Sequence, residues 1–316
     1  MINNRKWLIA GTLGSLLLAG CTSKNSAGGC NGCVILSSSR RRTTMLPSYL
    51  RLCLLPLGLL IGVCALSLHA AEPPAASTPA VQLEPKALEI LKAMSAKLAG
   101  TQGMSFKAIT TYEKPSRLGP PLAYNTVALV NVQRPDRLRV LTSGDGAATE
   151  FYYDGKQVYA FEPKDNLLAQ AEAPPTIDAT LEAAYQRAAI YFPFTDVIVA
   201  DPYKDLERDM RLAFYIGQST VVGDTTTDVI AYANDDVFVQ AWIGAQDKLP
   251  RMLRAVFRDD PTQSRHQVAF SEWKLSSTLS ADFFKPEHVE KAQRIRFAAP
   301  PDLRAPKGVK EPVTKP

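Results

Sequence analysis

Chemistry in this chain would have to rest on few residues. Of its three histidines, His69 lies in an apolar leader, and His266 and His288 fall in the part long enough to fold as a domain. All five cysteines (Cys21, Cys30, Cys33, Cys53, Cys64) lie before residue 65, so the rest of the chain is neither a disulfide scaffold nor a thiolate metal site. Cys30-Asn31-Gly32-Cys33 has CxxC spacing, but one pair in a Gly/Ser-rich stretch lacks the second pair that a zinc site needs. His266 reads as a strand residue and His288 as part of a Pro-Glu-His turn; neither has a cysteine or second histidine nearby to complete a ligand set. Acids recur at Asp224, Asp228, Asp235, Asp236, Asp259 and Asp260, where they coincide with turn chemistry. Adjacent aspartates on one turn do not flank a substrate bond as a hydrolytic pair must, which leaves a hydrolase as a remote alternative. A G-x-S-x-G elbow, a Gly-rich phosphate loop and an H-E-x-x-H are absent. The expectation is therefore a protein that binds rather than catalyses, with no cofactor and no metal.

Charge and export signals divide the chain. It carries 36 Lys/Arg and 31 Asp/Glu, but residues 1–71 hold seven of the basic residues and none of the acids. The basic balance belongs to the leader, and the folded part has no nucleic-acid footprint. Met1 to Cys21 has the form of a lipoprotein export signal: Arg5 and Lys6, an apolar core from Leu8 to Leu18, then Leu18-Ala19-Gly20-Cys21. If Met1 is the true start, Cys21 is the lipid-attachment residue. A second signal follows, with Arg40-Arg41-Arg42, Met45, an apolar run from Leu52 to Leu68, and Ala70-Ala71 for cleavage. The leading expectation is a cleaved signal starting near Met45. An uncleaved anchor, a Cys21 lipoprotein and a twin-arginine signal at Arg40-Arg41 are the alternatives. Each places residues 72–316 in the periplasm.

The elements that could position a site are mostly strands. After a Pro/Ala-rich linker (72–85), Lys86 to Leu98 places Leu88, Leu91, Met94 and Leu98 on one helical face. From Met104 the period is two, with Phe106 and Tyr112 on one face. Further strands are expected over Thr126–Val132, Arg137–Leu141, a hairpin at Phe151–Tyr159 with an Asp154-Gly155 type I′ turn, and Leu167–Ala171. Thr176 to Met210 reads as helical pieces around Phe192-Pro193-Phe194. Strands resume at Ser219–Val222, Asp228–Tyr232, Val237–Ile243, Arg251–Phe257 and His266–Trp273. Residues 299–316 form a Pro/Lys-rich tail. The pair Val237–Phe257 is the pivot, because both of its faces carry large apolar groups. Helices laid across such a sheet make a half-closed barrel around an apolar space. Burying a fatty acyl tail there is worth about 0.8 kcal/mol per CH₂, roughly 10 kcal/mol at most.

Trp242-Ile243, Gln246-Asp247-Lys248, Leu249-Pro250, Arg251-Met252-Leu253 and the closing Asp282-Phe283-Phe284-Lys285-Pro286 resemble the LolA/LolB-like lipoprotein-carrier superfamily. More narrowly, residues 84–297 resemble an uncharacterised family of predicted periplasmic proteins of that fold. The resemblance implies an α+β domain over 86–298: an incomplete antiparallel β-barrel of about nine to eleven strands, with helices plugging its concave face. It also implies a basic residue inside the cavity that ties down the lid helices, for which Lys107 and Arg139 are the candidates by strand position. Cavity-lining candidates are Phe106, Tyr112, Phe238, Trp242, Leu253 and Phe257. The partner expected is a lipid or other apolar ligand. The alternative is a sensory module of the same fold that binds an envelope membrane protein or lipoprotein.

Overall fold

The structure, a computed structural model, describes residues 81–299 apart from 118, 276, 277 and 288. The export leader, with Cys21, Ala70, Ala71 and the Cys30/Cys33 pair, lies outside the described residues, as does His288.

A short strand β1 (Gln82–Leu83) leads into helix α1 (Pro85–Ala99). Six strands follow in one meander: β2 (Gly103–Lys114), β3 (Leu122–Gln133), β4 (Arg137–Gly144), β5 (Thr149–Tyr153), β6 (Gln157–Glu162) and β7 (Leu167–Glu172). A helical passage comes next, with α2 (Ile177–Ala188), α3 (Thr195–Ile198) and α4 (Pro202–Arg208). A second meander then runs through β8 (Leu212–Ser219), β9 (Thr227–Ala233), β10 (Val237–Gly244), β11 (Pro250–Phe257) and β12 (Arg265–Leu275). A 3₁₀ turn (Ala281–Phe284) and β13 (Gln293–Ile295) complete it.

All thirteen strands form one open sheet, in the order β1-β8-β9-β10-β11-β12-β2-β3-β4-β5-β6-β7-β13. The count exceeds the nine to eleven expected, because β1 and β13 each add a two- or three-residue parallel strand to an edge. Pieces that short carry no alternation to read. The meanders join where β12 pairs β2, from His266 opposite Tyr112 to Leu275 opposite Met104. β7 and β8 therefore lie near opposite ends of the sheet, and the chain between them has to cross a face. It crosses the inner one: Phe192 packs on Phe151 of β5 (5.3 Å between ring centroids) and Phe194 on Phe106 of β2 (5.7 Å).

Alternation sets that inner face. Met104, Phe106, Ala108, Thr110 and Tyr112 of β2 are buried, while Ile109 between them is 39% exposed. A register shift between Ser271 and Lys274 in β12, with Glu272 at φ 57°, lets Trp273 return to the inner side, 4.5 Å from the Phe106 ring. α1 starts at Pro85, suited to a first helical turn, and buries Ala87, Ile90, Leu91, Met94 and Leu98 against the sheet and α4. Leu88 is only partly buried.

Two expectations need correction. The segment expected as a strand at Ser219–Val222 is mostly turn, and the strand there is β8, ending at Ser219. The Asp154-Gly155 hairpin exists, but only Gly155 (φ 95°) adopts a positive φ. A type I′ turn needs two; here the Asp154 carboxylate instead accepts the Lys156 and Gln157 N–H groups at 2.9 and 2.8 Å.

Leu91 is fully buried at the centre of α1. Leu91→Ala should cost about 2–5 kcal/mol in urea unfolding, whereas Leu88→Ala should cost clearly less.

Candidate ligand-binding cavity

The helical passage does not fill the inner face evenly. Over β2–β5 the stacked pair Phe192 and Phe194 (5.6 Å) occupies the space. Over β9–β12 a cavity of about 90 Å³ remains. Its floor comes from the sheet: Tyr232 of β9, Val239 of β10, Leu253 and Phe257 of β11, and His266 and Val268 of β12. These fall on inner-facing rows fixed by register, since Tyr232 pairs with Val239, Val239 with Ala255, and Ala255 with His266. Its roof is the passage itself: Tyr191, Asp196, Val199, Asp205, Leu206 and Met210. This volume exceeds the roughly 10–15 Å³ needed for one water, yet falls below the ~150 Å³ known to admit a benzene-sized guest. A longer ligand would have to displace the roof.

Six residues were candidates for lining, and the structure separates them. Leu253 and Phe257 are in the floor. Tyr112 is not in the wall but sits next to it, its ring 6.2 Å from that of His266. Phe106 is buried on the same face but packed against Phe194, Phe270 and Trp273. Phe238 and Trp242 are corrected: they alternate with Val237, Val239, Ala241 and Ile243, so they point to the opposite face. The small Val237 and Val239 line the cavity in their place.

The basic candidates are corrected too. Lys107 lies on the outer face, 3.3 Å from Glu272. Arg139 lies over the rings of Phe283 and Tyr152, at 4.3 and 5.5 Å. The cation that holds the roof is Arg134, at the start of the β3–β4 turn. Its Nη1 and Nη2 donate to the carbonyls of Ile198 (2.9 Å) and Val199 (2.8 Å), at the C-terminal end of α3. Those carbonyls lack helical partners and carry the negative end of the helix dipole. Beside it, the Asp178 carboxylate accepts the N–H of Ala200 at 3.1 Å, and the carbonyl of Pro135 accepts that of Ile177 at 2.9 Å. The β3–β4 turn thus fastens both the start of α2 and the end of α3. At the other side of the roof, Ser95 Oγ of α1 accepts the Tyr203 N–H at 3.0 Å.

Electrostatics single out Asp196. Burial, and secondarily the charge of Asp205, push its carboxyl up from 3.8 to about 7. Burial raises the phenols of Tyr191 and Tyr232, and the Asp196 charge raises both further. Burial lowers His266, against the opposing pull of Asp260 and Glu113, so the imidazole is neutral at pH 7. Asp260 itself is a turn residue: against its burial, hydrogen bonds from Ser264 and Thr262 bring it down to about 2. Among the described residues no group of three or more His, Cys, Asp or Glu could hold a metal ion.

Residues 87–298 match the family described as predicted periplasmic protein (DUF2092). The chain belongs to this family. No curated protein matches it. Solved structures similar to it include LprF from Mycobacterium bovis (15% identity, TM-score 0.39, 63% of this chain and 98% of that one). A LolA superfamily protein from Nitrosomonas europaea is also similar (12%, TM-score 0.28, 64% and 98%). So is the MucA/MucB complex of Pseudomonas aeruginosa (14%, TM-score 0.37), where the match spans 66% of this chain and 63% of that one. Among the described residues no helix is long and apolar enough to cross a membrane, which does not bear on strands.

Asp196 makes stability depend on pH. Because its folded-state value lies above 3.8, the folded chain binds more protons than the unfolded one between about pH 4 and 7, and stability falls as pH rises through that window. Asp196→Asn should therefore be more stable than the parent at about pH 8, by up to ~4 kcal/mol, with the gap closing near pH 4. His266 contributes with the opposite sign, losing stability as pH falls below its ordinary value, but it is common to both proteins. Urea unfolding of the pair across this range measures the difference.

Proposed function

We propose that the protein is a non-catalytic periplasmic carrier or binding module that takes an apolar or amphiphilic ligand between its helical roof and the β9–β12 half of its sheet. The observation that carries this reading is the roof's construction. α3 and α4 have four and seven residues, too short to be stable alone, and they are fastened at separate points by Arg134, Asp178 and Ser95. Beneath them lies a cavity with an apolar floor. These pieces also bury Val197 and Ile198 in the core, so lifting such a roof exchanges those apolar contacts for contacts with the ligand and leaves the sheet folded. The volume present corresponds to the closed state. Opening would uncover a run of Val237, Val239, Leu253, Phe257 and Val268 long enough to take more of a tail.

A sensory module binding a membrane protein is the second reading. The outer face of β2–β3 favours it through Ile109 and Leu129, diagonal neighbours that are 39% and 46% exposed.

Two measurements on the protein purified from envelope fractions test the carrier reading. Native mass spectrometry should show a co-purifying apolar ligand. Arg134→Leu, which frees the α3 carbonyls while keeping an apolar stem, should change uptake of an environment-sensitive alkyl dye severalfold. An empty protein that takes up no dye in either form overturns the carrier reading, and a specific membrane protein retained on pull-down would then favour the second.

A further inference from the structure

The walls of the cavity are asymmetric in charge. Its roof brings two carboxylates, Asp196 and Asp205, and among the described residues no lysine or arginine lines it. The cation nearest in role, Arg134, is committed to the carbonyls of Ile198 and Val199. The remaining polar groups are two phenols, the Asn234 amide and the His266 imidazole, none of them cationic at neutral pH. Arg208, outside the lining, pairs with Asp205 at 3.0 Å, so Asp196 carries the charge argument: an anionic head group placed beside it would meet like charge, with no Lys or Arg in the lining to compensate. Burial and Asp205 both act against the ionised form of Asp196, and a positive group is what offsets both. The aromatic rings of Tyr191, Tyr232 and Phe257 border the same space, and aromatic faces attract ammonium groups.

Resting on the carrier reading above, we propose that the ligand is a cationic amphiphile. Its protonated amine sits at Asp196 and Asp205 beneath the roof. Its hydrocarbon tail runs over Val237, Val239, Leu253 and Val268. A primary amine is charged at neutral pH, since its ordinary pKa lies near 10. Charged and apolar contacts thus come from opposite sides of one cavity: roof for the head, floor for the tail.

The test compares four probes on the whole exported protein by calorimetric titration at about pH 7.5, below micelle formation: dodecylamine, dodecanol, dodecanoate and putrescine. Dodecylamine should bind at least about tenfold more tightly than dodecanol, and dodecanoate more weakly than both. Putrescine, which has the charge without the tail, should bind far more weakly than dodecylamine. Asp196→Asn should reduce the dodecylamine-to-dodecanol ratio to about threefold or less; Asp205→Asn should reduce it in the same direction and serves if the first variant does not fold. Dodecanol or dodecanoate binding as tightly as dodecylamine overturns the charge assignment and leaves the carrier reading standing. Putrescine binding as tightly as dodecylamine overturns the role of the tail. If none of the dodecyl probes binds, the carrier reading falls and this inference with it.

Discussion

The chain leaves its sheet at β7 and must re-enter it at β8, on the far side of nine other strands. The cavity on the inner face follows from that detour. An open sheet with an apolar inner face cannot leave that face wet, and a segment forced to cross it is the nearest cover. The detour is short, from Ala173 to Arg211, and it is built of small pieces. A single long helix would cover the face in one straight line. The broken path drops Phe192 and Phe194 into one half, and spans the other half with less bulk. The cavity is the difference between the two halves.

Polar groups are then distributed by the same geometry. Where the passage ends a helix against the β3–β4 turn, it presents bare carbonyls, and the guanidinium of Arg134 satisfies two of them at once. The first turn of that same helix carries Asp196 into a space with an apolar floor. The same four-residue helix therefore presents carbonyls to a cation at its C-terminal end and a buried acid in its first turn.

How much of this is legible in the sequence differs by residue. The β10–β11 pair is readable because Val239, Ala241 and Ile243 alternate cleanly with Gln240 and Trp242, and because Asp247-Lys248 and Leu249-Pro250 punctuate the turn. Which face is inner is not readable there. Phe238 and Trp242 are the larger side chains and attract attention, while the smaller valines opposite them line the cavity. β8 escapes because Phe214, Tyr215 and Ile216 put bulk on both faces and a register shift before Gly217 breaks the period. Arg134 hides in a turn motif, since Arg-Pro-Asp reads as punctuation and its carbonyl partners lie more than sixty residues on. Asp196 left a signal: an acid set among Phe194, Val197 and Ile198 is out of place in a helical turn that is otherwise apolar.

The two short parallel strands have a bearing beyond their size. An open sheet exposes unsatisfied backbone groups along its outermost strands, which invites another chain to add on. β1 takes up the first residues of β8, and the Glu84 carboxylate accepts the next available N–H, that of Tyr215, at 2.7 Å. Beyond that point Gly217 and the register shift spoil the regular ladder. At the other end β13 covers Leu167 to Ala169 of β7. A sheet left unclosed in this way still has both of its rims partly paired. It can stay unclosed as a barrel without becoming a seed for fibres.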